Sequence, residues 1–184
     1  MEALNNILTR VSARELSSPY PSKDEMELVY KAALRAPDHA WLRPSTFIEV
    51  KDEALDKLSK IFVKFGKSLP DISDEVLNKY QNAPYRAPMI IVLISNIKKH
   101  ERVPDIEQIL STAAAAQNML LALHALNYGA IWRTGAFALN DKIGKYFSLN
   151  INQKILGYLY IGTPTMEPKK IPDVDIEQFI TKWR

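Results

Sequence analysis

Apolar residues at Leu4, Ile7 and Leu8 recur with helical spacing and predict a first helix over residues 2–9, fraying between Val11 and Arg14. Arg10 then stands at a helix C-terminus. The stretch SSPYPS reads as a loop closed by prolines. Ser22 and Glu25 form a capping-box pair just ahead of Met26, Val29, Tyr30, Ala33 and Leu34 on one face, so a capped amphipathic helix follows. Pro37 ends it, because the residue before a proline is pushed out of the helical region.

Next come TFIEV, a β-branched and aromatic strand, and DEALDKLSKIFVKFGK, a helix with Leu55, Leu58, Ile61, Phe62 and Phe65 inward. SDEVLNKYQNAP predicts a further short helix. APMIIVLIS is a continuous apolar run, the mark of a strand covered on both faces. Residues 105–126 predict the longest helix, apolar on most sides through IL, AAAA and MLLAL, hence packed all round or shared with a partner chain. Small residues at 113–116 allow a close helix crossing, and Gly129 offers a left-handed stop. AIWRTGAF leads into a helix, ALNDKIGKYF, and QKILGYLYIGTP supplies another buried strand. The tail DVDIEQFITKW reads as a final helix or an extended arm. Strands alternating with helices, without hairpin signals, predict an α+β layered fold with helices on both sides of a small mixed sheet.

The 184 residues fit one domain spanning 1–184, long enough to bury a real core. A formal charge of +3 would permit weak attraction to nucleic acid, but the basic residues are interleaved with acids and form no stripe, so no nucleic-acid partner is expected. The chain has no cysteine, which excludes thiol catalysis and a disulfide framework and suits a reducing compartment. MEALNNILTR lacks a basic leader followed by an apolar run, so a cytoplasmic location is expected. The greasiest run, Ile106 to Trp132, is interrupted by Glu107, Gln108, Gln117, Asn118, His124 and Asn127, so no membrane association is expected.

Protein-only catalytic signatures are missing. His39, His100 and His124 are far apart and none has an HxxxH or HExxH partner, which argues against a metal site. His124, on the apolar helix, reads as a satisfied buried histidine. There is no GxSxG elbow, P-loop or GxGxxG. What remains is arginine in loops. Arg10, Ser12 and Arg14 alternate in TRVSAREL, where two guanidinium forks and a hydroxyl can meet one phosphate or polar ring edge, or simply complement a helix C-terminus. Arg35 and His39 flank a proline turn in LRAPDHAWLRP, as site residues or as a solvated loop. In IWRTG, Trp132 is an aromatic wall or ordinary core, Arg133 a charge, and Gly129 and Gly135 let the backbone approach something flat or anionic. The three sites together supply charge, a hydroxyl and an aromatic face with no nucleophile, which suits a bound cofactor that carries the chemistry.

The order of RVSAR, RAPDH leading through RP to a strand, NAPYRAPMIIVL, the alanine-rich helix, YGAIWRTG and GYLYIGTP resembles the FMN-dependent nitroreductase family, closest to its short bacterial branch. The resemblance runs over essentially the whole chain. It implies a nitroreductase-like α+β homodimer with the long central helix at the dimer interface and two active sites between the subunits, each FMN touched by both chains. By this resemblance Arg10 and Ser12 hold the ribityl phosphate region, Val11 makes a backbone contact, and Arg14 lies near the pyrimidine edge. Arg35 and His39 reach the flavin from the partner subunit, and Trp132, Arg133 and Thr134 line it. The implied activity is hydride transfer from NADH or NADPH through FMN to a small-molecule acceptor such as a nitroaromatic or quinone, with no catalytic side chain and no metal. Flavin-dependent modification of a small metabolite, or a non-catalytic FMN-binding dimer, are the alternatives on the same scaffold. The chain departs from the family at Val11, where a basic or polar residue is common, and at Arg43 and Ser45, where RPS replaces Gln-Pro-Trp and bears on substrate choice. Lys169 and Lys170 fall near the basic pair of larger members without matching its spacing, and stay unassigned.

Overall fold

The strands assemble around β5 (Gln153–Pro164), which pairs with β3 (Met89–Asn96) and also with β4 (Gly129–Arg133). β2 (Ser45–Lys51) extends the sheet beyond β3, and the two-residue β1 (Leu16–Ser17) pairs with the end of β5. The computed structural model describes residues 2–183. The helices are α1 (Ala3–Thr9), α2 (Lys23–Ala33), α3 (Ala54–Gly66), α4 (Asp74–Asn82), α5 (Asp105–Ala125) and the single turn α6 (Ala136–Leu139).

The α+β layered class holds, but the sheet is not mixed: every ladder among the described residues is antiparallel. The reason lies in the connections. Two helices, α3 and α4, separate β2 from β3, so the chain crosses the sheet an even number of times and re-enters reversed. β3 and β4, joined by the single long helix α5, do run the same way, but β5 is inserted between them and opposes both. An antiparallel sheet therefore forms without one tight hairpin.

Both faces of the sheet are covered, which explains the unbroken apolar run of β3. Its odd positions Met89, Ile91 and Leu93 pack with Met26 and Val29 of α2 and with Met119 and Leu123 of α5. Its even positions Ile90, Val92 and Ile94 pack with Leu58, Phe62 and Phe65 of α3. Phe62 also stacks on Phe137 with ring centroids 3.8 Å apart, so α6 closes the second layer.

Local details follow the chemistry of the chain. The capping box of α2 is present in full: Ser22 Oγ accepts from the Glu25 amide, and the Glu25 carboxylate accepts from the Ser22 amide at 2.7 Å. Three expectations are corrected. Asn127, at φ 65°, is the left-handed stop after α5, and Gly129 instead opens β4. The IWR stretch, expected in a loop, is a strand, because Gly129–Arg133 finds the free edge of β5. The helix expected over ALNDKIGKYF is α6 followed by 3₁₀ turns over Asp141–Phe147. The tail is an extended arm with one 3₁₀ turn, Ile176–Phe179, and it leaves Phe179 and Trp183 exposed.

Candidate functional site

A groove of about 750 Å³ opens where α1 ends, beside the C-terminal half of α5 and the start of β4. Its floor is the segment Arg10–Glu15, which is neither helix nor strand and is held by main-chain bonds at both sides. The Ala13 amide donates to the Ala130 carbonyl at 3.2 Å, and the Thr165 amide donates to the Glu15 carbonyl at 3.3 Å. Gly129 makes this approach possible: a Cβ there would lie 2.7 Å from Pro164 Cγ and 2.9 Å from Ala13 Cβ. Its role is close packing between strand and floor.

Apolar walls come from Leu120, Tyr128, Ala130, Pro164 and Ile171, and cations come from Arg10, Arg14 and Lys169, with the carboxylates of Glu15 and Glu167 also on the lining. Ser12 adds a hydroxyl. α1 is fixed over α5 by Asn6, whose side-chain amide donates to the Leu121 carbonyl at 3.0 Å while the main-chain carbonyl of Asn6 lies 3.1 Å from His124 Nδ1. His124 is thus a partnered, half-buried histidine that also lines the groove, and Asn6 Oδ1 beside it is buried without a partner. Tyr128 is tied to the cap of α2 by donating from its hydroxyl to Glu25 at 3.1 Å.

Next to the groove lies a second cationic group. The Arg133 guanidinium sits 5.5 Å from the Tyr160 ring centroid, and its Nε is buried with no hydrogen-bond partner. Burial first, and then the like charges of Arg86 and Arg14, hold this guanidinium below its ordinary pKa. Burial pushes the Tyr160 hydroxyl up to about 12, with Arg133 and Arg86 pulling it back down. Among the described residues none of Arg10, Arg14, Arg86 and Arg133 is in an ion pair. Such unneutralised charge suits an anion.

The structure thus brings Arg10, Val11, Ser12 and Arg14 together on one groove, and Arg133 is coupled to Arg14 through charge. Trp132 and Thr134 do not line it: Trp132 packs against the α5-side core, and Thr134 is exposed. A Cβ placed on Gly135 would meet no atom within 4 Å, and at φ 67° the residue serves as an open turn. Arg35 and His39 do not line the groove: His39 lies at the N-terminal end of α5, where its Nδ1 is 2.7 Å from Glu107 and Ser111 donates to the Pro37 carbonyl, and Arg35 is on the turn that follows α2. At 1.5 Å per residue, Glu107 and Leu120 are separated by about 20 Å along the helix.

Among the groove residues not assigned to a site from the sequence are Lys169, Tyr128 and His124. Lys169 sits in a polar tail, and only the hydrogen bond of Thr165 to Glu15 reveals that the tail folds back over the floor. Arg86 lay in the NAPYRAP motif, whose charge had no visible partner along the chain. Among the described residues no cluster of His, Asp or Glu could hold a metal ion, and no helix is long and apolar enough to cross a membrane.

This chain belongs to the nitroreductase family, a family of oxidoreductases, whose pattern it matches over residues 7–163. It is similar to "Putative NAD(P)H nitroreductase YdjA" of Escherichia coli (strain K12), 32% identical over 176 residues that cover 94% of this chain and 96% of that one. A Haemophilus influenzae protein named "Putative NAD(P)H nitroreductase" is 31% identical, covering 98% of this chain and 99% of its own. In fold, the chain superimposes on a nitroreductase-like family protein from Bacillus cereus with a TM-score of 0.87 at 21% identity, covering 100% of this chain and 96% of that one. It also matches a "putative nitroreductase in complex with fmn" from Desulfovibrio desulfuricans at a TM-score of 0.77 and 19% identity, over 100% and 98% of the two chains.

Proposed function

We propose that residues 1–184 form one FMN-binding domain of a homodimeric, cytoplasmic flavoprotein that takes hydride from NADH or NADPH and passes reducing equivalents to a small oxidised acceptor, such as a nitroaromatic or quinone. The observation that carries this reading is the convergence of Arg10, Ser12, Arg14 and Lys169 on one apolar-walled groove. The names of the Escherichia coli and Haemophilus influenzae relatives and the FMN complex of the Desulfovibrio desulfuricans protein support both cofactors.

The residues fit FMN. Its phosphate needs cations, its polar ring edge needs donors, and its flat ring needs apolar walls near a bare backbone, here Gly129–Ala130. FMN, when bound, supplies the hydride chemistry, and the chain supplies binding, orientation and charge. Arg10 and Lys169 hold the phosphate end and Ser12 offers a hydroxyl beside them. Val11 adds a backbone contact. Arg14, backed by the charge of Arg133, presents positive potential to the polar edge of the ring, which favours the reduced, anionic cofactor.

Two features support the dimer. The outward face of α5 exposes Ile106 and Leu110, and α1 exposes Leu4, Ile7 and Leu8, so greasy surface clusters around the longest helix. His39, held to Glu107 about 20 Å along α5 from Leu120 of its own groove, is assigned to the partner's flavin, and Arg35, which does not line its own groove either, is assigned with it. Cytoplasmic NADH and NADPH, and a chain without cysteine, fit the same reducing compartment.

The deciding experiment is the visible spectrum of the purified protein before and after adding NADH or NADPH without oxygen. The expected protein is yellow, bleaches with at least one nucleotide and regains its colour with a nitroaromatic. A colourless protein that cannot be reconstituted with FMN overturns the reading, as does flavin that stays oxidised in excess of both nucleotides.

A further inference from the structure

The loop between α2 and β2 presents an indole to solvent in a way that its backbone works to maintain. Trp41 is 76% exposed, and the Arg43 guanidinium lies 4.9 Å from the centre of its ring. Ala40, Trp41 and Arg43 have φ of 57°, 54° and 51°, the left-handed region that glycine favours and a bulky residue avoids. Three such residues within four persist only where the surroundings over-determine them.

They do so here. The Asp38 carboxylate accepts from the Leu42 amide at 3.1 Å and from the Arg43 amide at 2.8 Å. Lys98 Nζ donates to the Leu42 carbonyl at 2.5 Å, Ser111 donates to the Pro37 carbonyl, and His39 is held to Glu107. With its carboxylate occupied by two amides, Asp38 is 4.0 Å from Arg43 Nε, and no other carboxylate pairs with Arg43 among the described residues. The product is a rigid, largely exposed aromatic plate with a charged, poorly neutralised guanidinium over its ring.

We infer that Trp41 and Arg43 select the electron acceptor: a flat aromatic ring stacks on Trp41 while an anionic substituent on that ring, a carboxylate or sulfonate, pairs with Arg43. This rests on the reading above that the active sites lie between subunits, since the loop carries His39 and would be delivered to the partner's groove with it. A planar guanidinium fork matches a carboxylate in two parallel hydrogen bonds, and an indole is the strongest stacking face among side chains. A neutral acceptor such as nitrobenzene would find the plate and leave the charge unused. Arg43 thereby adds discrimination by charge to a surface that otherwise accepts any flat ring.

The test uses the FMN-loaded full chain and two unreactive probes of one shape, benzoate and benzamide, titrated against the oxidised protein by calorimetry. 4-Nitrobenzoate and 4-nitrobenzamide are compared as acceptors in parallel. The wild type is expected to bind benzoate about tenfold more tightly than benzamide, the range of one charge-assisted contact. Arg43→Gln should bring that ratio, and the corresponding ratio of kcat/KM, close to one at the same FMN content. Trp41→Ala should weaken both probes. Equal binding of the two probes by wild-type protein overturns the inference, and so does an Arg43→Gln variant that keeps the preference. Holoprotein that reduces both acceptors equally well sinks this proposal while the flavoprotein reading stands. Protein that retains no FMN sinks both.

Discussion

The Nε1 edge of the Trp132 indole closes on Gly157, and a Cβ placed on that glycine would stand 2.1 Å from Trp132 Nε1. The contact exists because the β3–β5 register shifts between Leu93 and Ile94, which makes Leu156 the extra residue of a bulge and frees its carbonyl to accept from Trp132 Nε1 at 3.1 Å. Trp132 is thereby fixed in place by β5, and its strand runs from Gly129 and Ala130 at the groove to Arg133 at its far end.

Gly157→Ala is therefore expected to destabilise the protein by about 3 kcal/mol, the sum of overpacking against the indole and of a side chain forced to the observed φ of 144°. Gly144→Ala is the control, because its Cβ would meet only Leu149, at 3.7 Å, and should change stability by less than about 1 kcal/mol. Urea unfolding monitored by tryptophan fluorescence compares the two. Equal midpoints would show that Trp132 is not pinned.

Lys169 and Lys170 are neighbours in the chain, yet only Lys169 lines the groove. Lys169→Ala should weaken FMN binding about tenfold, the effect of removing one charge-assisted contact worth about 1.5 kcal/mol. Lys170→Ala should leave it within a factor of two or so, as surface changes do. Equilibrium dialysis with FMN reads both, and matched losses would remove Lys169 from the phosphate end.

Much of the fold was legible in the chain because its signals are local. The capping residues Ser22 and Glu25, the doubly buried β3 and the long α5 all declare themselves within a few residues. The sheet's sense did not, since it depends on β5 inserting between β3 and β4, a relation of segments far apart in the chain. The same divide runs through the site. RVSAR announces a cationic floor by its alternation, whereas Lys169 joins it only through the fold-back of the tail, and Arg86 meets Arg133 only across the sheet. Trp132 was open between wall and core for a related reason: its packing is set by a bulge in another strand.

Glu25 links the cap of α2 to the groove through Tyr128. The amide of Ser22 foremost, then the Ser22 hydroxyl and, more weakly, Tyr128 hold its carboxyl below the ordinary value of 4.5. A depressed carboxyl contributes stability that is present above its unfolded value and is lost as pH falls through the folded one. Thermal unfolding of the wild type should accordingly lose stability as pH drops below 4.5, and Glu25→Gln should flatten that acid limb while lowering stability at neutral pH. An unchanged acid limb in the variant would place the titration elsewhere.

Arg86 and Arg14 each repel Arg133 in the absence of an anion. The melting temperature of FMN-free protein should rise with sodium chloride, because screening at 0.5 M cuts the Debye length to about 4 Å. Arg133→Met should blunt the rise, since it removes the member whose Nε is buried without a partner. The same substitution should weaken FMN retention, so stability of the free protein and affinity for the cofactor move in opposite directions. A variant that melts lower and binds FMN as before would mean that the cluster serves packing alone.

The dimer can be tested at α5 without touching either core. Ile106 and Leu110 are 56% and 59% exposed and one turn apart, so lysines there leave the packing of each chain intact. In a two-fold interface each substitution appears twice, and Ile106→Lys with Leu110→Lys would set four charges against an apolar seam. Sedimentation should show a monomer with an unchanged far-ultraviolet spectrum. If Arg35 and His39 serve the partner's flavin, that monomer should also lose FMN, although every residue of its own groove is in place. A double variant that stays dimeric would move the interface off this face of α5, and a monomer that holds FMN as tightly as the wild type would return the whole site to a single chain.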